Sequence, residues 1–337
     1  MRKIDIFNHI YPAGYHERLM KVAPDYKDIG KRMRNIPMLA DLDVRFKVMD
    51  RFGEYEQVLS LPTPPIEVFA SPADARDLAR AANDGMADLV RKYPDRFTGF
   101  VAALPLNDPD AAARELQRAV EQLGARGFQI FSNICGKPIS ALEFLPLFEA
   151  IAGYDLPIWM HPYRGADFSD YQTEDRSEYE IWWTFGWPYD TSVAMARLVF
   201  AGYFDRFPNL KIITHHMGAM APYFEGRIGP GWEQLGARTS DVDYSAVLKK
   251  LAKRPLDYFK MFYADTALFG AYDATVCGLR FFGTDHVVFA SDAPFDPEKG
   301  PMYIRETIAI IDRLPISQDD RERIYWRNAA AMLKLDD

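Results

Sequence analysis

Six histidines occur in 337 residues, and four of them fall at the ends of short apolar runs. His9 lies near the end of 4–10, His161 ends 157–161, and His215 and His216 end the run that starts at 211. Asp265 falls within 262–267 and Asp292 directly follows 287–291. Ser132 and Asn133 follow 127–131 in the same way. Two neutral imidazoles and one carboxylate bind a divalent cation and leave a position open for water or substrate. Mixed nitrogen and oxygen donors suit zinc and also manganese. Such an ion lowers the pKa of a bound water or polarises a substrate oxygen. A further histidine nearby serves as acid, base or charge stabiliser. Taken singly, each residue has an ordinary role: a strand-end histidine hydrogen-bonds, and a strand-end aspartate caps a helix. Their joint placement carries the weight.

Elements that bring these groups together must place all the strand ends on one side. Eight runs read as strands: 4–10, 57–61, 97–104, 127–131, 157–161, 211–215, 262–267 and 287–291. Helical patterns at 42–52, 73–92, 110–123, 141–152, 191–204, 302–314 and 318–333 alternate with them. Alternation of this kind implies βαβ units and a parallel sheet. Eight units predict a closed α/β barrel, the (β/α)8 or TIM fold, as a single domain over 1–337 with helices at its C-terminal end. Its active site belongs at the C-terminal ends of the strands. No GxGxxG follows the first strand, which argues against a dinucleotide fold. Two insertions, 62–71 after strand two and 164–189 after strand five, are expected to wall the site. Neighbouring strand residues face opposite sides, so only one of His215 and His216 is expected to face the mouth.

The composition excludes other classes. Forty Lys and Arg against 48 Asp and Glu give a net charge of −8. Nucleic-acid binding needs clustered basic residues, and no such run occurs. Two cysteines, Cys135 and Cys277, lie far apart with no CxxC spacing, which fits a reducing compartment. No apolar leader and no 18-residue apolar stretch is visible, so a cytoplasmic protein without membrane contact is expected. Aromatic residues reach 14%, a rich supply for stacking on a flat ligand.

Several longer stretches resemble a known family. They include Ile4-Asp5-Ile6-Phe7-Asn8-His9-Ile10-Tyr11-Pro12, Tyr93-Pro94-Asp95-Arg96-Phe97 and Gly127-Phe128-Gln129-Ile130. Others are Leu156-Pro157-Ile158-Trp159-Met160-His161-Pro162, 204–212, His215-His216-Met217-Gly218 with Pro222-Tyr223, Ser291-Asp292-Ala293-Pro294 and Asn328-Ala329-Ala330. Across nearly the whole chain the sequence resembles the metal-dependent amidohydrolase superfamily. The similar branch is the one that holds aminocarboxymuconate-semialdehyde, γ-resorcylate and 5-carboxyvanillate decarboxylases. That resemblance implies metal ligands at His9, His161 and Asp292, with Asp292 also moving the proton. It implies a catalytic His216 and leaves His215 as a neighbour. It implies a lyase that removes CO2 from an aromatic or muconate-type carboxylic acid. The alternative on the same site is a hydrolase or hydratase that uses metal-activated water on a C–C, lactone or amide bond. A homodimer or tetramer is expected by the same analogy.

Two departures from the family pattern matter. The first strand-one ligand is replaced by Phe7, two residues from His9 and so on the same strand face. Three arrangements accommodate it: the three remaining ligands hold one zinc or manganese ion, another residue completes the shell, or the ion is weakly held or absent. An acid that many such decarboxylases carry three residues after the strand-six histidine is Ala219 here. Substrate contacts are expected from Phe7 itself, from Arg164 as a carboxylate clamp, and from Trp187 and Tyr189. Arg164 has Asp167 and Asp170 as competing partners.

Overall fold

The computed structural model describes residues 1–335. Among them eight parallel strands carry the fold: β1 (Lys3–His9), β2 (Tyr55–Ser60), β3 (Phe97–Phe100), β4 (Phe128–Phe131), β5 (Ile158–His161), β6 (Ile212–Thr214), β7 (Tyr263–Asp265) and β8 (Val287–Val288). Ladders join β1 to β2 and β2 to β3, and run in order from β4 through β5, β6 and β7 to β8. Two single bridges close the remaining gaps. Ala102 pairs with Phe128, and Asn8 pairs with Ala293, both parallel. The ring is therefore complete, the (β/α)8 barrel expected from the alternation.

β1 carries a register shift between Asp5 and Asn8. Ile4, Ile6, Phe7, Val58, Val101, Trp159, Ile213 and Val288 fill one buried cluster. Trp159 spans it and donates its indole N–H to the carbonyl of Ile6 at 2.7 Å. The C-terminal helix Asn328–Leu333 packs Ala329, Ala330, Met332 and Leu333 into the same cluster. The larger cluster lies between strands and helices. In helix Pro72–Lys92, Ala75, Leu78, Ala79, Ala82 and Met86 recur at helical spacing and are buried. Burying a side chain such as Leu78 contributes about 1.5–3 kcal/mol. Ser71 caps this helix by accepting from Asp74 N–H, and Asp108 caps Pro109–Glu121 by accepting from Ala111 N–H.

Segment 62–71 holds the helical turn Ile66–Phe69, and 164–189 holds Ile181–Thr184 and the start of Gly186–Phe200. Among the described residues no helix is long and apolar enough to cross a membrane.

The one local rule that fails is strand alternation at the pair of histidines. β6 stops at Thr214, and the backbone then winds left-handed at His216 (φ 56°, ψ 51°), Met217 (φ 54°), Gly218 (φ 74°) and Ala219 (φ 56°). Gly218 is required twice over, because a Cβ there would lie 2.4 Å from the Phe282 ring. This turn brings both imidazoles to the same side. The expectation that only one would face the mouth is corrected.

Candidate metal centre

His9, His161, His215 and Asp292 each present a ligand atom, and the four atoms lie within 4.8 Å of one another. All four residues are buried. Their side chains are oriented from behind. His9 Nδ1 donates to the Leu61 carbonyl at 3.0 Å. His161 Nδ1 donates to the Pro162 carbonyl at 2.6 Å. His215 Nδ1 donates to Asp265 Oδ2, whose other oxygen accepts from His216 N–H at 3.0 Å. With each Nδ1 carrying the proton, each neutral ring turns its Nε2 lone pair inward.

Those lone pairs converge on a carboxylate. His9 Nε2 stands 3.0 Å from Asp292 Oδ1, and His215 Nε2 stands 3.4 Å from the same oxygen. His215 Nε2 is buried and makes no hydrogen bond of good geometry among the described residues. Lone pairs facing lone pairs at these distances need a positive charge between them, a proton in the metal-free protein or a metal cation in its place. Three imidazole nitrogens and one carboxylate oxygen therefore fit a divalent ion.

Electrostatics agree. Burial opposes charge on His215, but Asp265 and Asp292 outweigh it and raise that imidazole's pKa to about 9. The place that attracts a proton this strongly attracts a metal cation for the same reason. Burial also opposes ionisation of Asp292, yet the charge on His215 first, and the close approach of the His215, His216 and His9 imidazoles, hold its carboxyl well below the ordinary range. His161 and His216 are pushed down by burial first and His215 second, so both stay neutral.

His216 completes the inner set. Its Nε2 lies 3.9 Å from Asp292 Oδ2, and its Nδ1 is buried with no partner among the described residues. Asp292 itself sits at φ 61°, a left-handed conformation that costs of order 1–3 kcal/mol and is held by its surroundings. Those surroundings include Asp5, which accepts from Ser291 N–H at 3.1 Å and from the hydroxyls of Ser291 and Tyr55. At the same end of β1 the buried Arg45 guanidinium donates to the His9 carbonyl, and it also donates to Gln57 Oε1 at 2.6 Å.

Phe7 has no exposed surface; its ring lies under the imidazoles, not beside open space. His215 stands as a fourth donor to the cluster, a role that residue spacing did not reveal. Trp187 packs edge-on against His161 at 5.6 Å. Phe131, Phe295 and Phe269 likewise flank His161, His9 and His216 at 5.2, 5.3 and 5.4 Å. Arg32 lies over Phe295 and Trp183 and puts a guanidinium at this aromatic rim. Arg164 pairs with neither Asp167 nor Asp170 but with Asp190 at 3.5 Å, and it stacks on Phe168. Tyr189 is 54% exposed and lines an outer groove with Val193, Met220 and Arg227. Ala219 follows the left-handed turn and brings no acid.

The amidohydrolase family model matches residues 9–335. This chain belongs to the amidohydrolase family. A γ-resorcylate decarboxylase of Polaromonas is 33% identical to this amidohydrolase over 319 residues, covering 92% of this chain and 91% of the relative. The solved 2,6-dihydroxybenzoate decarboxylase from Rhizobium superposes with a TM-score of 0.81 at 28% identity, covering 100% of both chains. A 5-carboxyvanillate decarboxylase of Novosphingobium aromaticivorans, solved with manganese and 4-hydroxy-3-methoxy-5-nitrobenzoic acid, gives 0.83 at 26% identity, covering 99% of this chain and 96% of that one. The barrel, the cluster and the decarboxylase branch thus coincide in this amidohydrolase.

Proposed function

We propose that this amidohydrolase is a metal-dependent lyase that decarboxylates an aromatic carboxylic acid. The observation that carries the reading is the inward convergence of three Nε2 lone pairs on Asp292, ringed by Trp187, Phe131, Phe295 and Phe269. His9, His161, His215 and Asp292 would hold one manganese or zinc ion. Such an ion would supply a fixed positive charge that orients acidic oxygens of the substrate and offsets the negative charge that returns to its phenolic oxygen as CO2 leaves.

The chain's own residues do the rest. Aromatic faces sandwich the flat ring and exclude water. Arg32 supplies a charge-assisted donor for a carboxylate at the rim. Asp292 takes the acidic proton of the bound substrate on Oδ2 and delivers it to the ring carbon that bears the carboxylate. The carbon–carbon bond then breaks, CO2 leaves, and its electron pair restores the aromatic ring. His216, neutral and within 3.9 Å of Oδ2, steadies the charge on Asp292 through this exchange.

The same proposal takes the barrel as a single domain over 1–337, supported by the closing bridge between Asn8 and Ala293. It takes the chain as a homodimer or tetramer, an expectation carried by the resemblance to this family alone. It places the protein in the cytoplasm, supported by two unpaired cysteines.

Headspace CO2 release is to be measured on purified protein with hydroxybenzoates, before and after chelation. Release is expected from an ortho-hydroxylated benzoate, lost with EDTA and restored by Mn2+ or Zn2+. A protein that binds neither ion, or that hydrolyses amides or lactones without releasing CO2, would overturn the reading.

A further inference from the structure

The seam where β8 meets β1 and β2 holds a chain of polar side chains that the reaction does not use. Arg45, Gln57, Tyr55, Asp5 and Ser291 are all buried. Arg45 Nη1 donates to Gln57 Oε1 at 2.6 Å, and Gln57 Nε2 donates to the Tyr55 hydroxyl oxygen at 3.1 Å. The Tyr55 hydroxyl donates in turn to Asp5 Oδ2, which also accepts from the Ser291 hydroxyl. This chain runs in one direction only. A guanidinium has donors and no acceptor, so Gln57 must show Arg45 its amide oxygen. The amide nitrogen then faces Tyr55, which leaves the phenol proton for Asp5.

The two ends of the chain grip two ligands. At one end Arg45 donates to the His9 carbonyl, to Asn8 Oδ1 at 3.2 Å and to the Met38 carbonyl at 3.1 Å. At the other, Asp5 Oδ1 accepts from Ser291 N–H at 3.1 Å and from Phe7 N–H at 3.3 Å. Ser291 Oγ, its proton given to Asp5, accepts from Ala293 N–H at 3.1 Å. Asp292 is thus bracketed on both sides, and its own N–H donates to the Phe7 carbonyl at 2.9 Å.

We propose that Gln57 is a positioning residue for the metal centre, acting on His9 through Arg45 and on Asp292 through Tyr55, Asp5 and Ser291. It joins a pure donor to a pure acceptor, and an amide is the side chain that offers both halves of that junction. Hydrogen bonds in such a chain polarise one another, so a break at Gln57 loosens the hold on both strand ends. The spacing of His9 and Asp292, from opposite ends of the sequence, is then set from behind by one buried side chain on β2.

This inference rests on the reading of His9 and Asp292 as ligands, but not on the reaction assigned to the site. Mn2+ dissociation constants are measured by titration calorimetry for wild type, Gln57→Glu, Tyr55→Phe and the double variant. In Gln57→Glu the new carboxylate still pairs with Arg45 but has no N–H for Tyr55, and one phenol proton cannot serve two carboxylates. Tyr55→Phe removes only the hydroxyl and keeps the ring. Each single variant is expected to bind Mn2+ about 10–100-fold more weakly. The double variant is expected to lose no more than either alone, because both break one chain. A Gln57 that served only the fold would be replaced by its acidic isostere without loss of Mn2+ affinity. The proposal is overturned if Gln57→Glu binds Mn2+ as wild type does, or if the two losses multiply. Deuterium exchange of the metal-free proteins gives a second readout. Segment 289–295 carries the Ser291 and Ala293 N–H groups and is expected to exchange faster in both single variants, with 128–131 unchanged. Equal exchange of 289–295 in wild type and Tyr55→Phe overturns the proposal as well. Should wild type bind no Mn2+, the metal reading falls and the exchange comparison decides the positioning role.

Discussion

Phe7 lies flat against His215, ring centroids 4.0 Å apart and planes 14° from parallel. The same ring meets His9 edge-on at 5.4 Å and His161 at 5.6 Å. A residue that stands where the family pattern has a ligand is here the floor on which three imidazoles rest. Phe7→Ala should leave a void beneath them and lower stability by about 3–5 kcal/mol. Urea denaturation measures this; a loss below about 1 kcal/mol would contradict the supporting role.

The neighbouring histidines should separate cleanly. His215→Ala removes a donor and frees Asp265, so bound metal should fall to a small fraction of one ion per chain by elemental analysis. His216→Ala should keep its metal and lose turnover by about 10²–10⁴-fold. Asp292→Asn should lose turnover altogether. Metal retained in His215→Ala and lost in His216→Ala would reverse the assignment.

The buried Glu67 gives stability a pH dependence. Its folded-state pKa of about 8 lies above the ordinary 4.5, so the fold prefers the protonated form. The contribution is fully present below pH 4.5 and is lost as pH rises through 8. Glu67→Gln has no such loss. Relative to wild type, it should gain on the order of 4 kcal/mol between pH 4.5 and 8. Parallel stability curves for the two proteins across that window would refute the burial effect.

Ala219 holds φ 56° and ψ −118°, a conformation glycine adopts far more readily. Ala219→Gly should stabilise the folded protein by about 1 kcal/mol by releasing that strain, after the entropy that glycine adds to the unfolded chain. Thermal unfolding should show a midpoint a few degrees higher. A lower midpoint would mean that the turn is not strained.

Much of the barrel was legible because strand and helix periods are local. Helix Pro72–Lys92 and strand Ile158–His161 lie within a residue of the patterns that predict them. Helix Tyr272–Phe282 escaped notice, since its aromatic and small residues mix both periods. The ligand types were legible at His9, His161 and Asp292. His215 was not, because alternation assumes an extended backbone and β6 ends one residue too early. The only local hint was Gly218, a residue suited to a left-handed turn. Arg164 was legible as a charge but not as a partner of Asp190, because that pairing depends on how 164–189 folds back.

His9 and Asp292 are separated by 283 positions and meet at 3.0 Å, beside the bridge that closes the barrel. During synthesis the first of these residues waits for almost the entire chain before the second emerges. No partial chain ending before β8 can assemble the full cluster, so a nascent or truncated barrel has no complete cage with which to scavenge metal. Loading is thereby reserved for molecules whose last strand has docked on the first, and tight cation uptake reports that folding has finished.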